Sequence, residues 1–165
     1  MIHIRAFQAS DRDFIASLVM RFSEFDLPAW RSRNEVDDTN RVTLQKAIDQ
    51  PEPDSAIFIA EDESGRAAGF IHLQTQVDYF NGQKHGYISD LAVDKTFEGQ
   101  GVGRALMNKA EEWTRQQGYG LLTLYVFAGN KRAQLLYEKN GFQQEVIKYA
   151  KVIESDEGVD EDQYR

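Results

Sequence analysis

The stretch YISDLAVDKTFEGQGVGRALM, residues 87–107, decides the fold of this 165-residue chain. It predicts a short apolar strand from Tyr87 to Val93, then a polar connection, and then a glycine-rich turn that opens a helix. Glycines let backbone N–H groups approach a ligand closely, and the first turn of a helix offers N–H donors that have no partner. Together with the positive end of the helix dipole, these donors predict an anion site, in particular a phosphate site.

Two familiar phosphate motifs do not match this glycine turn, which is defined here as residues 99–103. The P-loop requires G-x-x-x-x-G-K-[ST], and no Lys-Ser or Lys-Thr pair follows the glycines. The dinucleotide fingerprint G-x-G-x-x-G requires a glycine at position 104, which is Arg104. A tight turn that binds no ligand is the alternative that the glycines alone leave open.

Two blocks of sequence together resemble the GNAT superfamily of N-acetyltransferases. Residues 98–103, EGQGVG, match the pyrophosphate loop of that family, [QR]-x-x-G-x-[GA], and follow a strand that ends in Leu-Ala-Val as expected. Residues 130–142, NKRAQLLYEKNGF, match the second family pattern, N-x-x-A-x-x-x-Y-x-x-x-G-F. Two motifs in the right order are far more specific than either one alone, and the resemblance covers roughly residues 2–153.

The resemblance implies an α/β fold of the GNAT type over residues 1–153, and composition predicts an acidic, disordered tail at residues 154–165. The implied sheet is mixed and mostly antiparallel, with helices on both faces and two splayed parallel central strands, at 87–93 and 121–127. The local pattern adds a helix that begins at a Ser10–Asp13 capping box and ends before Pro28, a hairpin of strands at 56–60 and 67–77, a helix at 131–139, and a final strand at 145–153.

Acetyl-CoA is the cofactor that the resemblance implies. Its pantetheine arm would pair with the backbone of the central strand as an added strand does. Its pyrophosphate would lie on the N–H groups of residues 100–104, and Lys131 or Arg132 would reach the CoA phosphates. The implied cofactor-binding residues are Leu91, Ala92, Val93, Gly99, Gln100, Gly101, Val102, Gly103, Arg104, Asn130, Ala133 and Tyr137.

Glu98 departs from the family pattern, which has Gln or Arg at this position. A carboxylate beside a pyrophosphate adds repulsion between like charges. We expect weakened rather than abolished cofactor binding, because the backbone donors do not depend on this side chain. The alternative is that the Glu98 side chain turns into solvent.

Two residues are candidates for the proton transfers of an acetyl transfer to an amine. An alkyl amine with a pKa of about 10.4 is mostly protonated at neutral pH, so a base is useful. The resemblance implies Asp90 as that base, acting directly or through a water, with orientation of the backbone or binding of the substrate ammonium as the alternative roles. It implies Tyr137 as the acid that protonates the leaving thiolate. His72, inside the strand at 67–77, is interpreted as a structural histidine.

The amine acceptor is less well defined by the sequence. In relatives, the segment between the first two strands lines the acceptor pocket and the hairpin before the central strand overhangs it. The resemblance therefore implies the substrate-binding candidates Glu24, Asp26, Trp30, Tyr79 and Phe80. The acidic character of the segment 24–38 favours a small cationic amine such as a polyamine or an aminoglycoside. A peptide or protein N-terminus, a protein lysine and a non-catalytic acyl-CoA sensor are the alternatives.

Composition limits the partners and the location of the protein. The net charge of −8 disfavours nucleic acid as a partner, because binding phosphates requires clustered Lys and Arg. The absence of cysteine excludes disulfides and thiolate metal sites, and no metal site is predicted. No apolar run approaches the roughly 18 residues that span a membrane. We therefore expect a cytoplasmic location and no membrane association. A homodimer is left open by the resemblance.

Overall fold

A computed structural model gives the fold of residues 1–154. The strands of this range are β1 (His3–Ala6), β2 (Ala56–Glu61), β3 (Ala67–Val77), β4 (Lys84–Val93) and β5 (Leu122–Leu124). The helices are α1 (Arg12–Ser17), α2 (Arg33–Asp49), α3 (Val102–Gln116) and α4 (Lys131–Lys139), with 3-10 turns at Ala9–Asp11, Val19–Ser23 and Lys95–Phe97. None of these helices is long and apolar enough to cross a membrane. The expected tail lies outside the described residues, except for Glu154.

One five-stranded sheet organises the domain, in the order β1-β2-β3-β4-β5. The first three pairings are antiparallel, and only β4 and β5 run parallel. This arrangement confirms the expected mixed, mostly antiparallel sheet. The parallel pairing is short, because it joins only Gly86–Ile88 of β4 to Leu122–Leu124 of β5.

Helices cover both faces of the sheet, as expected. On one face, the amphipathic helix α3 buries Leu106 and Met107 against side chains of β3 such as Ile71. On the other face, α1 and α2 bury Ile15 and Leu44 against the neighbouring strands. Side chains alternate between the faces of a strand, so β3 and β4 contribute to both clusters.

Three local predictions are wrong in their extent. The expected strand at 121–127 is paired only over Leu122–Leu124, and residues 125–127 lie exposed beyond it. The expected strand at 145–153 is absent from the described residues, where this segment has no regular structure and no neighbouring strand. A strand needs a pairing partner to form, whatever the alternation in its own sequence.

The first helix is broken into α1 and two 3-10 turns. Its start is fixed by Asp11 rather than by the Ser10–Asp13 pair, because the Asp11 carboxylate accepts a hydrogen bond from the N–H of Gln8 at 2.7 Å.

Candidate active site

A gap opens in the sheet where β4 and β5 part. Pairing between the two strands ends at Ile88 and Leu124, yet β4 continues to Val93. On its other side, β4 remains paired with β3 as far as the Gly69–Val93 position. Among residues 1–154, no strand therefore pairs with residues 91–93 on the β5 side. The backbone groups on this edge of β4 are available to an extended ligand.

A β-bulge in β4 lies at the point where the strands part. His72 of β3 is opposite Asp90, and Leu73 is opposite Ile88, so Ser89 is an extra residue in β4. A bulge bends the strand and increases its twist. The direction of β4 therefore changes between the part that pairs with β5 and the part that borders the gap.

Asp90 follows the bulge and is held by a buried histidine. Nδ1 of His72 lies 2.9 Å from Oδ2 of Asp90, and the His72 side chain is only 2% exposed. The Asp90 side chain is largely but not fully buried. His72 thus faces the neighbouring strand, as interpreted from the sequence, and its contact fixes the orientation of the candidate base.

The glycine turn presents backbone donors at the end of β4. Gly101 is the N-cap of α3 and has φ +81°, a left-handed backbone conformation that residues with a Cβ rarely adopt. Within the described residues, the N–H groups of residues 101–104 donate to no acceptor, whereas the N–H of Gln100 is bonded to the Phe97 carbonyl at 3.3 Å. The predicted anion site therefore has four free donors, and Gln100 does not contribute a free one.

Asn130 and Ala133 are bonded to each other at the start of α4. Asn130 is the N-cap of this helix, and its Oδ1 accepts from the N–H of Ala133 at 3.2 Å. The side-chain oxygen and the Ala133 donor are therefore engaged, which leaves the Asn130 Nδ2 group for a ligand. The helix lies against the glycine turn, since a Cβ on Gly103 would sit 3.2 Å from Leu136.

Tyr137 lies half-buried on α4 beside Phe142, with 6.0 Å between the ring centroids. Burial, with a smaller contribution from Tyr87, raises the pKa of Tyr137 to about 12. Its phenol is thus fully protonated at neutral pH and is able to donate a proton. Tyr87, on β4 before the bulge, also has a raised pKa, caused first by burial and then by Asp90 and Tyr125.

Glu98 is paired with two arginines and does not turn into solvent. Its Oε1 accepts from Nη2 of Arg21 and lies 2.6 Å from Nη1 of Arg132. Hydrogen bonds from Arg132 and then Arg21 lower the pKa of Glu98. The expected repulsion of a pyrophosphate is therefore offset, because each arginine brings a positive charge to the same place.

The connection between α1 and α2, residues 18–32, packs against the segment that follows β5, at residues 127–129. The rings of Phe25 and Phe127 lie 5.6 Å apart, and Gly129 approaches the Asp26 carbonyl so closely that a Cβ would have no room. A cavity of about 280 Å³ lies at this contact. It is lined by Arg21, Glu24, Phe25, Gly129, Asn130, Lys131 and Arg132.

The structure brings only part of the predicted acceptor set to this place. Glu24 lines the cavity and pairs with Arg21 at 2.7 Å, and Asp26 contributes its backbone beside it. Trp30 does not line the cavity. Tyr79 and Phe80 are 93% and 79% exposed and lie in the β3–β4 turn, at the opposite end of β4 from the gap. Because β3 and β4 stay paired as far as Val77 and Lys84, that turn lies about 20 Å from Asp90 along the strand.

Sequence reasoning missed Tyr87 and Arg21. Tyr87 belongs to the stretch that decides the fold, but a tyrosine in a strand has no signature that separates a site residue from a core residue. Arg21 reaches Glu98 across 77 positions of sequence, and a contact of that range has no local signal.

Comparison with known proteins places the chain in a family. A model of the acetyltransferase (GNAT) family matches residues 19–142, about three-quarters of the chain. The chain therefore belongs to the GNAT family, whose members take the acetyl group from acetyl-CoA.

Individual relatives agree with this assignment. The chain is 28% identical over 144 residues to the uncharacterised N-acetyltransferase YhfO of Bacillus subtilis, a match that covers 87% of this chain and 91% of YhfO. It is 39% identical over 88 residues to mycothiol acetyltransferase of Propionibacterium freudenreichii, which covers 53% of this chain. The match spans only 28% of the length of that mycothiol acetyltransferase.

A solved structure shares the fold. The aminoglycoside antibiotic 6'-N-acetyltransferase AAC(6')-Ih of Acinetobacter baumannii aligns with 93% of this chain and 100% of its own, at a TM-score of 0.68. The identity is 14%, so this likeness concerns the fold alone.

Proposed function

We propose that this chain transfers the acetyl group of acetyl-CoA directly to a primary amine bound at the same site, and that the amine is small and cationic. The observation that carries the proposal is the unpaired edge of β4 at residues 91–93, which runs from Asp90 to the free N–H groups of the glycine turn. Family membership supports the same chemistry.

The residues along this edge fit acetyl-CoA. Leu91, Ala92 and Val93 have backbone groups for the amides of a pantetheine arm, and the free donors at 101–104 suit a diphosphate. Arg104, Lys131 and Arg132 add positive charge nearby, and Nδ2 of Asn130 remains a donor. The cofactor supplies an acetyl group activated as a thioester.

Asp90 is the proposed base for the incoming amine. Removing a proton from an alkyl ammonium at pH 7 costs roughly 4 kcal/mol, so a positioned carboxylate lowers the barrier. His72 holds one oxygen of Asp90 at 2.9 Å and leaves the other for the amine. Asp90 first passes the ammonium proton to water, and the neutral amine then forms the N–C bond and gives its second proton to Asp90 as the amide forms.

Tyr137 is the proposed acid. As the C–S bond breaks, the thiolate needs a proton, and the phenol holds one at its oxygen throughout the neutral range because its pKa is about 12. The protein regains its starting state when the proton on Asp90 and the deprotonated phenol exchange with water.

The acceptor is proposed to be cationic because of the acids beside the cavity at the α1–α2 connection. Glu24 lines that cavity, and Asp26 follows it. A polyamine or an aminoglycoside has the ammonium groups that such carboxylates bind.

A non-catalytic acyl-CoA sensor is a weaker candidate. Glu98 is the feature of the sequence that favours a sensor, since a carboxylate beside the diphosphate would impair normal cofactor use. The pairing of Glu98 with Arg21 and Arg132 removes that argument.

A panel of amines tests the proposal. CoA release from acetyl-CoA is measured with spermidine, kanamycin, an amino acid, a peptide with a free N-terminus and a peptide with an internal lysine. We expect turnover with spermidine or kanamycin. Glu24→Gln should then raise the KM for that amine, whereas Asp38→Asn, an exposed acid that pairs with Arg41 on α2, should leave it unchanged. Turnover with the peptides alone would contradict the cationic small-molecule acceptor, and tight acetyl-CoA binding without any turnover would support the sensor.

A further inference from the structure

Three charged residues from three separate elements meet beside the glycine turn. Arg21 comes from the 3-10 turn after α1, Glu98 precedes the glycine turn, and Arg132 is in the first turn of α4. We call them the Arg21–Glu98–Arg132 cluster. It joins the α1–α2 connection, which holds the proposed acceptor residue Glu24, to the proposed diphosphate site.

The two arginines are held differently. Arg21 is 18% exposed, and its guanidinium also donates to Glu24 through Nη1 at 2.7 Å. Arg132 is 67% exposed and has Glu98 as its ion-pair partner among the described residues. Arg132 is thus the arginine that is free to move toward an incoming anion, and Arg21 is fixed within the connection.

Hydrogen bonding within the cluster is incomplete. Both arginines approach Oε1 of Glu98, and no hydrogen bond among the described residues is accepted by Oε2. Nε of Arg21 is buried and has no hydrogen-bond partner among the described residues. A guanidinium and a carboxylate commonly pair through two parallel N–H···O bonds, and Nε with Nη2 is one edge that forms them. The donor and the acceptor for a second Arg21–Glu98 bond are therefore both present.

We propose that Glu98 is a positioning residue that couples cofactor binding to the acceptor residues. The diphosphate of acetyl-CoA draws Arg132 away from Oε1, and the Glu98 carboxylate then pairs with Arg21 through both oxygens. Arg21, held more firmly, fixes the α1–α2 connection and the Glu24 carboxylate for the amine. The inference rests on the proposed function for the role of Glu24.

Hydrogen exchange tests this coupling without an acceptor. Exchange of peptides that contain residues 19–26 is followed by mass spectrometry with and without saturating acetyl-CoA, and the cofactor Kd is measured by calorimetry. In the unmodified chain, acetyl-CoA should slow exchange of this segment several-fold. In Glu98→Gln, the slowing should be lost while the Kd stays equal or falls, since a negative charge has been removed beside the diphosphate.

Two further variants separate the coupling from a general loss of charge or of fold. Glu111→Gln removes the same charge from an exposed pair with Arg115 on α3, and it should behave as the unmodified chain does. Arg132→Gln should raise the cofactor Kd, and residues 19–26 should already exchange slowly without acetyl-CoA, because Glu98 is then free to pair with Arg21 through both oxygens. Slowing of residues 19–26 that is equal in Glu98→Gln and the unmodified chain, or absent from both, would overturn the proposal.

Kinetics give a second readout for whichever amine the panel identifies as a substrate. Glu98→Gln should raise the KM for that amine about fivefold or more, and it should not raise the KM for acetyl-CoA. An unchanged amine KM would overturn the inference and leave the proposed acetyltransferase function intact. Failure of every amine would count against the proposed function, whereas the exchange experiment would still decide the coupling.

Discussion

At the residue scale, the proposed chemistry depends on a proton held by the phenol of Tyr137. Tyr137 lies on α4, whereas Asp90 lies on β4, so the proposed acid and base are supplied by different elements. Burial favours the neutral phenol, and His72 orients the charged carboxylate. Neither the burial of the Tyr137 phenol nor the contact between His72 and Asp90 would be expected from the residue types alone.

Replacing Tyr137 with phenylalanine removes the proposed acid and keeps the ring. A general acid contributes roughly 100-fold or more to a rate, so kcat at saturating acetyl-CoA should fall by about that factor. The Kd for acetyl-CoA should stay nearly the same, because the ring still packs against Phe142. Tyr149→Phe is the matched control, since that hydroxyl belongs to an 89% exposed tyrosine in the segment after α4. An unchanged kcat in Tyr137→Phe would remove this residue from the mechanism.

The pH dependence of the rate should reflect the raised pKa of Tyr137. Its folded-state pKa of about 12 lies above the ordinary tyrosine value, so the acid is fully present at neutral pH and is lost only as the pH rises toward 12. We therefore expect kcat to show no decline between pH 8 and about 10.5, a range in which a free tyrosine with a pKa of about 10 would lose more than half of its protons. A decline centred near pH 10 that disappears in Tyr137→Phe would contradict this.

At the scale of elements, the glycine turn fixes how β4 continues into α3. Gly101 has a left-handed backbone, and a Cβ there would meet no neighbouring atom, so a substitution is opposed by conformation and not by crowding. Gly118, just after the other end of α3, has nearly the same φ of +78° and equally open surroundings. The chain thus contains its own control for this strain.

Gly101→Val should abolish the stabilisation of the protein by acetyl-CoA. Both Gly101→Val and Gly118→Val should lower the stability by about 1–2 kcal/mol, because valine is strained in the left-handed region. Only Gly101→Val distorts the donors of residues 101–104, so only this variant should lose the cofactor-dependent rise in Tm. Equal thermal shifts in the two variants would exclude the turn as the diphosphate site.

The entry to α1 depends on a carboxylate that joins it to β1. Asp11 accepts from both terminal nitrogens of Arg5 at 2.8 Å and from the N–H of Gln8 at 2.7 Å. The hydrogen bond from Arg5 is the main reason that the pKa of Asp11 is lowered. A group with a lowered pKa stabilises the fold above its unfolded pKa, and this stabilisation is lost as the pH falls through the folded value.

Asp11→Asn should therefore destabilise the protein by about 2–3 kcal/mol at pH 7, measured by urea unfolding. The difference from the unmodified chain should begin to shrink below about pH 4, where Asp11 of the unfolded chain becomes protonated, and should be smallest once the pH has fallen below the lowered pKa of the folded state. The exposed neighbour Asp13 makes no ion pair in the described structure, so Asp13→Asn should cost much less. A pH-independent difference for Asp11→Asn would show that the charge is not the cause.

At the scale of the whole molecule, the sequence predicted what local pattern and motif spacing determine. The glycine turn, α3, α4 and the mixed sheet with helices on both faces follow from glycines, apolar periodicity and two motifs. The bulge at Ser89 does not, because it arises from the pairing of β4 with β3. The pairing of Arg21 with Glu98 and the absence of a strand at 145–153 likewise depend on contacts with distant parts of the chain.

The central claim is that acetyl-CoA enters the gap between β4 and β5 and places its diphosphate on the glycine turn. The most direct measurement is a crystal structure of the protein with acetyl-CoA. The account predicts the pantetheine arm along the unpaired edge of residues 91–93 and the diphosphate within hydrogen-bond distance of the N–H groups of 101–104. Acetyl-CoA bound elsewhere, or no acetyl-CoA in the gap from crystals grown at a saturating concentration, would contradict it.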